Sequence, residues 1–187
     1  MRVALLAAVA TALSGHAAPA QSEHDFATIF GIKLGEPLAI PMCTEQDAKS
    51  PGAIVRSSDG TVVHAEVKRT CATSLPPNFD FETSVSVWFA EPLSIALMDN
   101  QLVLEMIDGR VEAASFDGFP ESPTHLVDEL KKMYGEPETS DDGLKWRSGG
   151  IEVSMDQHKG VSVTTARFTF ALGEWIKKHP LPPPPKP

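Results

Sequence analysis

The chain has 187 residues, 42% of them hydrophobic, and a formal net charge of −9 at pH 7. That length supports one domain with a core of its own, needing no metal to hold it. The acidic balance argues against nucleic acid and anionic membrane surfaces, both of which are bound through clustered lysine and arginine, and it reads most simply as an acidic, solvated surface.

The first twenty residues, MRVALLAAVATALSGHAAPA, have the composition of an export signal. Arg2 gives the positive start, and Val3 to Leu13 is apolar apart from Thr11. Ala18-Pro19-Ala20 is a small-residue exit, with cleavage expected after Ala20 and Ala18 as the alternative. The segment is too short for a stable membrane span, and no cysteine at the exit offers a lipid anchor. Because it carries Arg2 and no acid, its removal takes the formal charge from −9 to −10.

Residues 21–29, QSEHDFATI, read as a flexible leader, and a single globular domain is expected over 30–178. The domain opens FGIKLGEPLAIPMC, residues 30–43. Ile32 and Leu34 alternate with Lys33, which suits a short extended piece. Gly35 lets the chain turn, Pro37 fits the first position of a helix, and Pro41 stops one. At most one turn fits, over Leu38 to Ile40. Gly52 to Ala72 then reads as two strands around Asp59-Gly60, with Val63, Ala65 and Val67 on one face and Val62, His64 and Glu66 on the other.

The two cysteines of the chain are Cys43 and Cys71. In an oxidising compartment a pair is expected to close, and a loop of about 28 residues makes such a bridge worth about 3–4 kcal/mol. It would tie the opening turn to the end of the first hairpin. The competing reading is two free thiols, one activated by a histidine.

Residues 75–82 form a loop. Strand signals follow at Ser84 to Phe89 and Ser94 to Met98. Residues 101–116 are the clearest hairpin, with Leu102, Leu104 and Met106 alternating against Val103, Glu105 and Ile107 up to the turn at Asp108-Gly109. Residues 122–135 are the clearest helix. Ser122 caps it, Pro123 opens it, and Leu126, Val127, Leu130, Met133 and Tyr134 make its apolar stripe. Gly135 and Pro137 end it. A three-stranded meander follows: Leu144 to Arg147, Ile151 to Met155, and a long strand from Val161 to Phe170 with Phe168 and Phe170 on one face. Residues 171–178 form a short C-terminal helix, and 179–187 a proline-rich tail of extended, polyproline type. The fold class is therefore α+β: a mainly antiparallel sheet, one principal helix on one face and a short C-terminal helix.

Chemistry is sparse. The spacing of Gly31 and Gly35 lacks the context of a phosphate loop. His64, His125 and His158 stand apart from one another and from any ligand cluster, so no metal and no cofactor is expected. No G-x-S-x-G elbow occurs. The serines at 84, 86, 94, 115 and 154 fall in ordinary strand patterns, and the 25 acids supply no distinguished catalytic pair. Trp88, Trp146 and Trp175 are the candidates for a recognition surface, with burial in the core as the competing reading.

Phe30, Gly31, Leu34, Gly35, Leu38 and Cys43, followed by Gly109, Val111, Leu130, Tyr134, Gly135, Pro137 and Trp146, resemble the pattern of small exported bacterial proteins with an F-G-x-x-L-G-x-x-L opening and a Y-G-x-P segment. A looser similarity is to outer-membrane assembly lipoproteins and β-lactamase-inhibitor-like domains. Their small helix-plus-sheet units act by binding other proteins. The chain departs from the lipoproteins in lacking the anchor cysteine, and Pro41 falls where their opening helix would run. Export and this resemblance together imply a periplasmic or secreted, non-enzymatic module that binds another envelope protein. The alternatives are an envelope hydrolase with groups around His64 or His158, and a carrier of a small apolar ligand.

Overall fold

A computed structural model describes residues 25–93, 100–117, 123–158 and 160–180. The segment expected to be an export signal, the strand expected at Ser94 to Met98, the cap expected at Ser122 and residues 181–187 of the expected tail lie outside the described residues.

Period-2 alternation builds one antiparallel sheet of eight strands. In chain order these are β5 (Cys71–Leu75), β6 (Thr83–Trp88), β7 (Gln101–Ile107), β8 (Arg110–Asp117), β9 (Glu138–Ser140), β10 (Gly143–Ser148), β11 (Ile151–Met155) and β12 (Gly160–Thr165). The spatial order is β5-β6-β7-β8-β12-β11-β10-β9. The first four strands run as a meander. The chain then crosses to the far edge through helix α1 (Pro123–Tyr134) and returns as a second meander that meets β8 through β12. This second meander has four strands instead of three, because Glu138 to Ser140 pairs with β10. The α+β class with a large antiparallel sheet and two helices is the observed fold.

The two helices lie on opposite faces. Leu126, Leu130 and Tyr134 of α1 are buried with Leu102, Leu104, Ala114, Phe116, Val153 and Val163. Phe168 of α2 (Ala166–Lys178) is buried with Ile107 and Ala113. Ala113 and Ala114 are neighbours in β8, so they point to opposite faces. The stripe expected for α1 is the one observed, and Gly135 takes the left-handed conformation (φ 84°) just past its end.

The C-terminal helix corrects the sequence reading. The strand expected through Phe170 stops at Thr165, and the helix runs for 13 residues. Thr165 caps it by accepting from the Phe168 N–H at 3.1 Å. Phe168, Ala171, Leu172 and Trp175 are spaced at helical intervals, and the first three pack over β7 and β8. Phe168 is therefore buried while Phe170 points outward.

The N-terminal part departs further. Residues 25–29, expected within a flexible leader, join the fold. β1 (Thr28–Ile29) pairs with β2 (Ile32–Lys33), Ile29 is core, and Phe26 packs on Tyr134. Phe30 (φ 47°) and Gly31 (φ 80°) form the turn between them, both left-handed as a tight hairpin requires. The Phe30 ring stands edge-on to Phe89 and Phe116, and that packing offsets the cost of a left-handed aromatic residue. No helical turn forms at Leu38 to Ile40. Pro37 bridges to Arg110, and Met42 bridges to Ala72 in parallel, so this stretch runs extended onto the β5 edge.

β3 (Ile54–Arg56) and β4 (Val62–Ala65) make a separate hairpin, with a register shift between Val55 and Arg56. Val62 and Ala65 are both buried while Val63 is exposed, so the strict alternation expected from Val62 to Val67 is broken. This hairpin packs on Trp88 and Cys71. Cys71 begins β5 of the large sheet instead of ending the hairpin. Among the described residues, no helix is long and apolar enough to cross a membrane.

Candidate functional site

The sheet face opposite α1 carries polar residues where an ordinary inner face would be apolar. Thr73, Ser86, Val103, Ser115, Ser162, Ser154 and Lys145 stand directly opposite one another on seven consecutive strands. All but Val103 are polar. Each lies between strand neighbours that face α1, so the row follows from the same alternation that builds the core. The hairpin β3–β4 covers the face at Trp88, and α2 covers it at Ala113. Between them Ser115, Ser154 and Ser162 remain half-exposed.

A hollow of about 420 Å³ lies over this part of the row, lined by Gln101, Val103, Ser115, Asp117, Ser154, Asp156, Gly160 and Ser162, with Phe116 and Val161. Ser154 and Ser162 hydrogen-bond through their hydroxyls at 2.8 Å. Gln101 donates to Ser86. Two exposed carboxylates close on Gly160: a Cβ there would lie 3.1 Å from Asp156 Oδ2 and 3.4 Å from Asp117 Oδ1. Asp156 Oδ1 accepts from the N–H groups of His158 and Gly160 at 2.7 and 3.0 Å. The hollow therefore offers hydroxyls, one amide and an acidic end. Such groups suit hydrogen-bonding or cationic ligands.

A second, more apolar groove of about 560 Å³ lies further along the same strands, lined by Gly149, Gly150, Ile151, Glu152, Thr164, Ala166 and Phe170 among others. Thr164 and Glu152 are partners across β12 and β11, two residues along from Ser162 and Ser154. The polar hollow and the apolar groove thus share one floor. Phe170 is 71% exposed beside the groove.

The three tryptophans do not come together. Trp88 is 1% exposed and donates its indole N–H to Thr73 at 3.2 Å. Trp146 is 2% exposed. Both are core residues, which corrects their candidacy as interaction aromatics. Trp175 is half-buried against Phe79 and His179. Among the described residues the aromatic that is mostly exposed is Phe170, which the strand reading of Val161 to Phe170 placed beside Phe168.

A pair of buried carboxyls lies on the same face, nearer α2. Glu105 is 8% exposed and accepts from Ser84 Oγ at 2.5 Å and Asn78 Nδ2 at 2.8 Å. Glu82 is 9% exposed, and its Oε1 accepts from the N–H groups of Asn78 and Phe79 at 2.9 and 3.0 Å. Its Oε2 is buried with no donor among the described residues. Burial, then the neighbouring Glu105 carboxylate, push the Glu82 carboxyl up to about 7. The sequence holds one hint of the pair: Glu105 sits between Val103 and Ile107 on a strand whose other face is also apolar.

Cys43 and Cys71 are disulfide-bonded with Cα atoms 4.9 Å apart. His64 stands edge-on to Trp88, and His125 and His158 are exposed. These histidines do not converge. No group of three or more metal-ligating side chains occurs among the described residues. No family model, no curated protein and no solved structure matches this chain.

Proposed function

We propose that this is an exported, non-enzymatic protein of the bacterial cell envelope that works by binding another protein. The observation that carries the reading is the shared floor of β11 and β12. There the hydroxyl-lined hollow with its acidic end and the apolar groove beside Phe170 rest on residues two positions apart on the same two strands. An exposed aromatic next to a groove with a polar surround is the usual anatomy of a protein-docking surface. The partner is a segment with a lysine or arginine for the Asp117–Asp156 end and an apolar side chain for the Phe170 groove. Charge complementarity supports that choice, because the chain as a whole is acidic. Export rests on the first twenty residues and agrees with the disulfide.

The test places a photo-crosslinking residue at Thr169, beside the groove, in the producing bacterium. A discrete adduct with one envelope protein is expected. It should be lost in Phe170→Ala and weakened in the Asp117→Asn/Asp156→Asn double variant, with melting temperatures unchanged. An adduct indifferent to all three substitutions, or a glycan in place of a protein, defeats the reading. Export is checked separately: the N-terminus of the mature protein should be Gln21, and a retained Met1 would remove that part.

A further inference from the structure

The orphaned oxygen of Glu82 has a direct physical reading. A buried acceptor without a donor is costly, and two ionised carboxylates side by side are costlier. Among the described residues Glu82 Oε2 has no donor, and Glu105 is the neighbouring carboxyl that acts on it. One proton on the pair removes both penalties, turning a carboxylate into an O–H donor and leaving one negative charge instead of two. That remaining charge is well served, since Ser84, Asn78 and two backbone N–H groups already donate to the pair.

We propose that Glu82 and Glu105 form a proton-operated latch: one proton shared by the two buried carboxyls keeps the Asn78–Glu82 loop seated on the sheet, and its loss to solvent unseats the loop and the aromatic wall the loop shares with α2. The wall is explicit. Phe79 stacks on Phe81 with ring centroids 5.5 Å apart, and both meet Phe168 edge-on. Phe79 also meets Trp175 at 5.1 Å. Asp80, between the two phenylalanines, accepts from the Trp175 indole at 3.4 Å and lies 3.7 Å from His179 Nε2. The loop therefore touches α2 at both ends and β7 at Glu105.

The other charged groups around the pair are already engaged. From β8, the buried Glu112 accepts from Thr165 Oγ1 at 2.6 Å and pairs with Arg167. Arg167 of α2 also pairs with Asp108 of the β7–β8 turn. On the loop itself, Asp80 faces Trp175 and His179. Near the end of α2, Glu174 pairs with Lys177. Among the described residues, no cation forms an ion pair with Glu82 or Glu105, so the proton is what neutralises them. The sign is then fixed. A carboxyl raised above its unfolded value contributes stability that is full below the unfolded value, near 4.5, and is lost as pH rises through about 7. The loop is seated in acid and released in base.

The test follows the full-length chain between about pH 5 and about pH 9. Its readout is amide protection at Asn78 and Phe79, whose N–H groups are bonded to Glu82, corrected for intrinsic exchange. In the wild type, protection falls about tenfold or more across the range. In Glu82→Gln, which carries no charge at any pH, that fall disappears. Carboxyl-carbon NMR of the unmodified chain gives a second reading that does not depend on the variant folding. One glutamate should titrate near neutrality, with a matching response at its partner. Identical protection profiles in wild type and variant, or two carboxyls titrating together at ordinary values, overturn the latch. Neither readout involves a binding partner.

Discussion

The indole N–H of Trp146 donates to the carbonyl of Gly135 at 2.7 Å, and the Trp146 ring stands 6.5 Å from that of Tyr134. One buried side chain of β10 thus closes the C-terminal end of α1 and packs beside the last residue of the helix. The two aromatics differ in how their polar atoms are served. The Tyr134 hydroxyl is buried without a partner among the described residues, and burial, then Asp25, push it up to about 12.

Opposite outcomes are expected for removing the two polar atoms. Trp146→Phe loses a part-buried hydrogen bond and leaves a void, costing about 1–3 kcal/mol. Tyr134→Phe deletes a group that has no bond to lose, so its effect should stay within about 0.5 kcal/mol or be stabilising. Urea unfolding of both variants reads the difference directly. Equal losses would mean that the Trp146 hydrogen bond adds nothing beyond ring packing.

The disulfide staples an extended segment to a sheet edge. Cys43 N–H donates to Ala72 O at 2.7 Å and Ala72 N–H to Pro41 O at 2.9 Å, so residues 41–43 already lie along β5. Cys71 also packs with Val62, Ala65, Val67 and Trp88, which places the bridge beside the contact that seats the β3–β4 hairpin. Replacing both cysteines by alanine should cost about 2–4 kcal/mol. Protection should be lost first in the hairpin and last around Leu104. Thermal melts with and without reductant check the size of the effect, and an unchanged melting temperature contradicts it.

Asp47 and Arg69 provide the acid-side counterpart of the carboxyl latch. Asp47 accepts from Arg69 Nε at 2.5 Å and from Thr44 N and Oγ1 at 2.7 and 2.8 Å. The Arg69 bond, with those from Thr44, holds its carboxyl well below the usual carboxylate range. A depressed carboxyl contributes stability above the unfolded value that is lost as pH falls through and below it. The wild type should therefore lose stability as pH drops below about 4. Asp47→Asn should start less stable at neutral pH and show a shallower acid limb. Parallel acid titrations of the two proteins, followed by circular dichroism, decide the matter. Superimposable curves would show that the pair plays no part.

Some of this architecture is legible in the chain itself. Pro123, Gly135 and Pro137 bracket α1, and Asp108-Gly109 with its flanking alternation marks the β7–β8 hairpin, because both signals are local. With two cysteines in the whole chain, Cys43 and Cys71 leave one possible intramolecular pairing, and that pairing is the one observed. Other features depend on contacts far away in sequence. Phe30-Gly31 carries no turn-forming first residue, and only the seat between Phe89 and Phe116 offsets its left-handed phenylalanine. Glu82 and Glu105 meet through the pairing of β6 with β7. The hydroxyl row needs the register across β8 and β12, whose pairing skips α1 and three strands. Between Val161 and Phe170 a strand period and a helix period both fit the residues. The apolar sheet face at Ile107 and Ala113, which the helix covers with Phe168, decides for the helix, and nothing local announces that.

The switch from β12 to α2 turns on one hydroxyl. Thr165 Oγ1 accepts from the Phe168 N–H and donates to Glu112 Oε2 at 2.6 Å, while Arg167 reaches the other oxygen of the same carboxylate. Glu112 is the extra residue of a bulge, because Glu105 opposes Ala113 while Met106 opposes Val111. Its carboxylate is buried there, held by the helix it anchors. Thr165→Val keeps the shape and loses both bonds. The missing cap costs about 1 kcal/mol, and the carboxylate left short of a donor adds about 1–3 kcal/mol. Thr165→Ser keeps both bonds and should recover most of that loss. Glu112→Ala separates the two contributions: with no carboxylate left to lose a donor, Thr165→Val in that background should cost only the cap. If Thr165→Val is equally costly in both backgrounds, the Glu112 contact is geometric coincidence, and the helix starts at Ala166 because of its cap and its aromatic stripe alone.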